Sequence, residues 1–155
     1  MSNHQASAVW QRGDESFLDN RYSREHRWEF DEGVSVAASS SPSNVPLPYS
    51  VEAAVDPEEA LVAATSSCHM LWFLSLAAKK GWCVDSYRDN ATGVMGKDEL
   101  GRTRFLEIVL APRIKFDSSG GDPSQNEIEA VHELAHEKCF IANSLRCAVR
   151  VEMVG

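Results

Sequence analysis

One stretch limits what this chain can become: DPEEALVAATSSCHMLWFLSLAAKKG, from Asp56 to Gly81. Asp56 suits an N-cap, Pro57 the first helical position, and Glu59 completes a capping box. Glu58 and Glu59 also complement the positive end of the helix dipole. Nothing breaks the run before Lys79 and Lys80, and Gly81 offers a stop. The pattern predicts a helix of roughly 24 residues, about 36 Å long at about 1.5 Å per residue. Its middle is apolar nearly all round, so it is expected to be the central, buried helix of the domain.

The flanking segments supply strands. HQASAVW (His4–Trp10) and HRWEFDEGVSVAA (His26–Ala38) read as short strands, and the Ser- and Pro-rich stretch from Ala37 to Ser50 reads as a loop. Beyond the helix, Trp82–Gly96 and Arg102–Phe116 read as two strands joined by the polar turn KDELG. Asp122-Pro123-Ser124-Gln125 repeats the helix-start signature, with Gln125 at the capping-box position. Ile128, Val131, Leu134 and Ala135 follow at helical spacing. A break near Cys139, a helical turn FIANSL and a last strand RCAVRVEMV close the chain. Strands cluster around two helices instead of alternating with them, which predicts an α+β fold. No repeat or linker divides the 155 residues, so one domain spanning 1–155 is expected, with residues 1–5 outside its ordered part.

Composition narrows the function classes. A formal net charge of −8 argues against non-specific binding to nucleic acid or an anionic membrane. No apolar run reads as long enough to span a bilayer, and the N-terminus lacks the basic and apolar regions of a signal peptide. A cytoplasmic, reducing setting is therefore the expectation. There the four cysteines, Cys68, Cys83, Cys139 and Cys147, read as buried hydrophobes, metal ligands or redox-active thiols, not structural disulfides.

Two of the thiols stand out. Cys68 lies mid-helix in SSCHM, where its neighbours Ser66 and Ser67 leave room for a second group. Cys139 lies where a short helix begins, and a helix N-terminus favours a thiolate. Cys83 and Cys147, in strand-like segments, read as core. Whether Cys68 and Cys139 meet stays open on composition alone. So does His132-Glu133-Leu134-Ala135-His136, which matches the H-E-x-x-H zinc pattern. That reading lacks a third histidine, and the polar surroundings offer a solvated face as the plain alternative.

The sequence from Asp56 to Leu61, followed by Ala63-Ala64-x-x-Ser67-Cys68, resembles the active-site helix of the OsmC/Ohr family, the osmotically inducible and organic hydroperoxide resistance proteins. Ala135-His136-x-x-Cys139-x-x-x-Asn143 is similar to that family's second cysteine box. The order of elements also fits over nearly the whole chain. The resemblance implies an OsmC-like fold, with antiparallel strands around a long central helix and a second helix, in an intertwined homodimer. It implies a thiol-dependent peroxidase that reduces organic hydroperoxides, with Cys68 peroxidatic and Cys139 resolving through a Cys68–Cys139 disulfide. It places the family's glutamate at Glu58 and its arginine at Arg24, counted back from Asp31-Glu32-Gly33, with Arg21 and Arg27 as competitors. Glu58 is expected to hold the guanidinium in a bidentate pair. No cofactor is implied beyond an external dithiol or lipoylated protein, such as one bearing dihydrolipoyl groups, and no nucleic-acid or membrane partner. The chain departs from the family at His69, where phenylalanine is frequent, at Phe140, where proline is common, and in a longer N-terminal segment from Gln11 to His26. Those departures keep a non-catalytic redox-sensing or ligand-binding role as the alternative, with a zinc hydrolase behind it.

Overall fold

The structure, a computed structural model, describes residues 1–153. It divides into two compact units, Met1–Ala60 and a second that begins at Leu61.

In the first unit, β1 (Ala6–Val9), β2 (His26–Phe30) and β3 (Ser35–Ala38) form an antiparallel sheet in that order. The segment read as one strand from His26 is thus a hairpin. Its turn at Asp31–Gly33 holds Glu32 and Gly33 at positive φ, 56° and 78°, a conformation glycine adopts without strain. The loop after β3 is anchored at buried polar groups: Ser39 N–H donates to the Val55 carbonyl, and Ser39 Oγ accepts from Val51 N–H at 2.9 Å. The expected cap of the long helix is present, since Asp56 Oδ1 accepts from Glu59 N–H at 2.8 Å and Glu59 Oε2 accepts from Asp56 N–H.

Helix α1 (Pro57–Lys79) stops at Gly81, whose φ of 79° suits a helix terminus. Its burial departs from the expectation. Only a stripe made of Thr65, His69, Phe73, Leu76 and Ala77 is buried, at helical spacing, while Leu71 is 61% exposed. By length and composition α1 also qualifies as a membrane-spanning helix, with a mean hydropathy of 1.5 over its most apolar window, which corrects the reading that no run is long enough. Two of its polar members are nonetheless committed to protein partners: Ser66 Oγ donates to Asp89, and His69 bonds His132.

The second unit keeps the expected strand pair but breaks each long strand in two. β4 (Cys83–Asp89) pairs with β7 (Pro112–Asp117), and β5 (Thr92–Lys97) with β6 (Thr103–Leu110), all antiparallel. The break falls where Asp89 Oδ1 takes the Ala111 N–H at 2.7 Å and where Pro112 has no N–H to offer a ladder. Helix α2 (Gln125–Lys138) is capped by Ser124 with Glu127, two residues later than the Asp122 and Gln125 reading. The Glu127 carboxylate takes both the Ser124 N–H and its hydroxyl, a stronger acceptor than a glutamine amide. After α3 (Phe140–Ser144), β8 (Ala148–Val151) joins β6 in parallel, with α2 and α3 inside the crossover such pairing needs. The expected last strand ran to Val154, which lies outside the described residues. The α+β class holds, with β6–β8 the one parallel pairing among the named strands.

The core joins Phe73, Leu76 and Ala77 of α1 to Val131 and Ala135 of α2 over Trp82, with Val84, Ile114 and Phe116 of the β4–β7 sheet against them. The α1–β5 approach is close: a side chain at Gly93 would strike Val62 and Phe105. These contacts fix the α1 turn that carries Cys68 and His69 against the α2 face that carries His132.

Candidate active site

The first unit holds a cavity of about 480 Å³ walled by Trp10, Phe17 and Tyr22, with Arg24 and Glu58 also in its lining. The three rings pack together, Phe17 stacking on Tyr22 at 4.7 Å between centroids and Trp10 meeting Tyr22 edge-on at 5.4 Å. Of the three candidate arginines, Arg24 lines this cavity; Arg27 lies on β2 and bonds Ser35 Oγ. The expected Arg24–Glu58 ion pair is absent. Arg24 instead lies over the Tyr22 ring at 3.8 Å and donates to Asn20 Oδ1 at 2.7 Å and to the Asn20 and Tyr22 carbonyls. The local fold of residues 20–24 offers it three acceptors and an aromatic face, which together outcompete the carboxylate. Glu58 Oε1 accepts from Asn44 Nδ2 at 3.2 Å, while its buried Oε2 has no partner.

The second unit brings the thiols together. All four cysteines are free, and Cys139 is fully buried while Cys68 is half-buried. Cys139 caps α3: its Sγ accepts from Ala142 N–H at 3.4 Å, its own N–H donates to the His136 carbonyl, and Asn143 Nδ2 ties back to the Glu137 carbonyl at 2.9 Å. The spacing of the second cysteine box is thus the spacing of a kink between two helices. Burial pushes the Cys139 thiol above its ordinary value, and the neighbouring Cys68 side chain adds to this, against the Ala142 donor. A thiolate favoured by the helix end was expected; desolvation wins because the group is wholly enclosed. The core reading of Cys83 also fails, since that residue is exposed at the start of β4.

His132 is not on a solvated face. His132 is 2% exposed and His69 1% exposed, and Nε2 of His69 lies 2.9 Å from Nδ1 of His132. Ring centroids 5.2 Å apart with planes 5° from parallel set the two imidazoles edge to edge, as one hydrogen bond between ring nitrogens requires. Phe73 covers His132 at 4.3 Å. Burial lowers both histidines to about 4, with His136 lowering His69 further and Asp89 opposing, and His69 lowering His132 further. Among the described residues no group of three or more histidine, cysteine or carboxylate side chains is arranged to hold a metal ion. The zinc-protease reading gains no third ligand from this arrangement, and His132 Nδ1 is turned toward His69. This buried pair was missed, although His69 falls on the Thr65, Phe73, Leu76 stripe and His132 beside Val131 on the stripe toward Ala135.

An α+β fold with two thiols set side by side on a long helix and at a helix kink defines a class of two-cysteine proteins. A family model described as OsmC-like protein matches residues 50–154, and the chain belongs to that family. A solved OsmC-like protein of unknown function from Vibrio cholerae is 52% identical, covers 99% of this chain and 100% of its own, and superposes with a TM-score of 0.97. Two organic hydroperoxide resistance proteins share the fold at low identity. That of Elizabethkingia anophelis is 16% identical over 99% of this chain and 94% of its own, with a TM-score of 0.71. That of Bacillus subtilis is 17% identical over 99% and 98%, with a TM-score of 0.70. Comparison with curated proteins gives no match.

Proposed function

We propose that the protein is a thiol-dependent peroxidase acting on organic hydroperoxides, with Cys68 as nucleophile and Cys139 as resolving thiol. The observation that carries this reading is the meeting of the two free thiols, one half-buried and open to attack, the other sealed beside it. The Cys68 thiolate attacks one peroxide oxygen, the O–O bond breaks, and the alkoxide leaves as alcohol once protonated. The resulting sulfenic acid condenses with the Cys139 thiol, releasing water and forming the disulfide. An external dithiol, such as a dihydrolipoyl group, then reduces it by exchange. A high Cys139 value suits this order, because a protonated resolving thiol does not compete for the first attack. Arg24 is assigned to the thiolate and the peroxide, and Glu58 to positioning Arg24, as the resemblance implies.

The reading includes a homodimer in the cytoplasm. What supports the dimer is that Leu71 and Phe140 stand 61% and 69% exposed, apolar surface that a second copy would cover.

Consumption of an alkyl hydroperoxide with a dithiol reductant is the test. Cys68→Ser should lower the rate roughly 10⁴-fold or more, and mass spectrometry after one peroxide equivalent should find Cys68 joined to Cys139. Full activity in Cys68→Ser, or a different pairing, overturns the mechanism.

A further inference from the structure

A second cleft, of about 360 Å³, opens in the second unit between α2 and β8, and the proposed peroxidase chemistry makes no use of it. Its α2 wall carries Glu129, His132, Glu133 and His136, which share one helix face at i, i+3, i+4 and i+7. Its β8 wall is apolar, with Val149 and Val151. The volume falls at the lower end of small-molecule sites, which run from about 300 Å³.

Two nitrogens in this wall are unsatisfied. His132 directs Nδ1 to His69, so Nε2 on the opposite side of the ring faces away from that partner, and it has no hydrogen-bond partner although the residue is 2% exposed. His136 Nδ1 is likewise buried and without a partner. Buried polar atoms are rarely left without a partner, and a water, an ion or a ligand group commonly completes them. The charge of the lining selects the ligand. Arg150, the one cation in the wall, is held by Glu107 at 2.9 Å and by Glu152 at 2.5 Å, so two carboxylates answer its charge. Glu129 and Glu133 are exposed and appear in no ion pair. The cleft is therefore anionic at its rim, imidazole-lined at its floor and apolar on one side.

We infer that this cleft binds an aliphatic ammonium ion: its N–H groups donate to His132 Nε2 and to the two glutamates, and its carbon chain lies on Val149 and Val151. Burial holds His132 neutral at physiological pH, so the imidazole presents a lone pair to the cation without repelling it. The assignment fixes a tautomer, with the His132 proton on Nδ1 and donated to His69 Nε2. It stands apart from the cysteine chemistry, and its test does not read activity.

Nitrogen-15 NMR of the histidine side chains, with n-butylammonium chloride titrated into the full chain, is the experiment. A saturable shift of His132 Nε2, with Nδ1 protonated, is expected. Glu129→Gln combined with Glu133→Gln, both exposed positions that leave the core intact, should weaken binding about tenfold or more. Val149→Lys, which places an ammonium in the cleft, should abolish the titration. No saturable shift at millimolar butylammonium, tighter binding of butyrate, stoichiometric zinc on the two histidines, or an undiminished affinity in the double glutamine variant would each overturn the proposal.

Discussion

The two units treat their charged and nucleophilic groups in opposite ways. In the first, Arg24 and Glu58 line one cavity yet do not pair: the arginine is held by Asn20 and Tyr22, and a glutamate oxygen is left unsatisfied. In the second, the thiols are neighbours and the two imidazoles are hydrogen-bonded to each other, and burial keeps Cys139 and both histidines of the pair uncharged. The difference is one of cost. Uncharged groups can be packed permanently into a core, whereas a guanidinium and a carboxylate keep their charge and must sit where water or a substitute acceptor can serve them.

The contrast can be broken most forcefully at Phe73, which belongs to the core cluster and covers His132. Phe73→Ala should cost about 3–5 kcal/mol, read as a lower urea midpoint. Trp72 and Trp82 fluorescence should report the loss, since both lie in the second unit. A variant as stable as the parent would mean that the pair does not depend on its aromatic cover.

Acid should sharpen the comparison next. Both histidines of the pair have folded values of about 4 against an ordinary 6.5, so the unfolded chain binds more protons between those limits. The stability they contribute is complete above about 6.5 and is lost as pH falls through about 4. A loss on the order of a few kcal/mol is expected over that window, seen as a falling Tm. His69→Phe, which removes one member of the pair, should flatten the dependence; an unchanged slope would refute it.

The smallest effect is expected in the first unit. Asn20→Ala removes an acceptor from Arg24, on the order of 1 kcal/mol, and should free the guanidinium toward Glu58. If the peroxidase reading holds, kcat/KM rises a few-fold in Asn20→Ala and falls about tenfold in Glu58→Gln. Equal effects of both changes would show that Arg24 and Glu58 do not communicate.

Local chemistry was well recorded in the sequence. The Asp56–Glu59 cap, the stop at Gly81 and the kink at Cys139 each depend on neighbours a few residues away, and all three are present. What the sequence hid depends on distant partners. His132 reads as one turn of a polar helix until His69, 63 positions earlier, is seen against it. Counting singled out Arg24, but its preference for Asn20 over Glu58 is a competition among acceptors that spacing does not express. The exposure of Leu71 within an apolar helix was equally illegible, because hydropathy reports how a segment would like to be covered, not whether it is.

Asp89 carries a consequence of a different kind. One oxygen receives the Ser66 hydroxyl of α1 and the other the Ala111 amide at the joint between β6 and β7. A single carboxylate therefore indexes the helix to the ribbon, much as a pin aligns two gears. Turning α1 by one residue would withdraw Ser66, and shifting the β6–β7 joint would withdraw Ala111, so neither element can slip without unseating the other. The orientation of Cys68, two residues beyond Ser66, is thereby tied to a peptide group more than forty positions away.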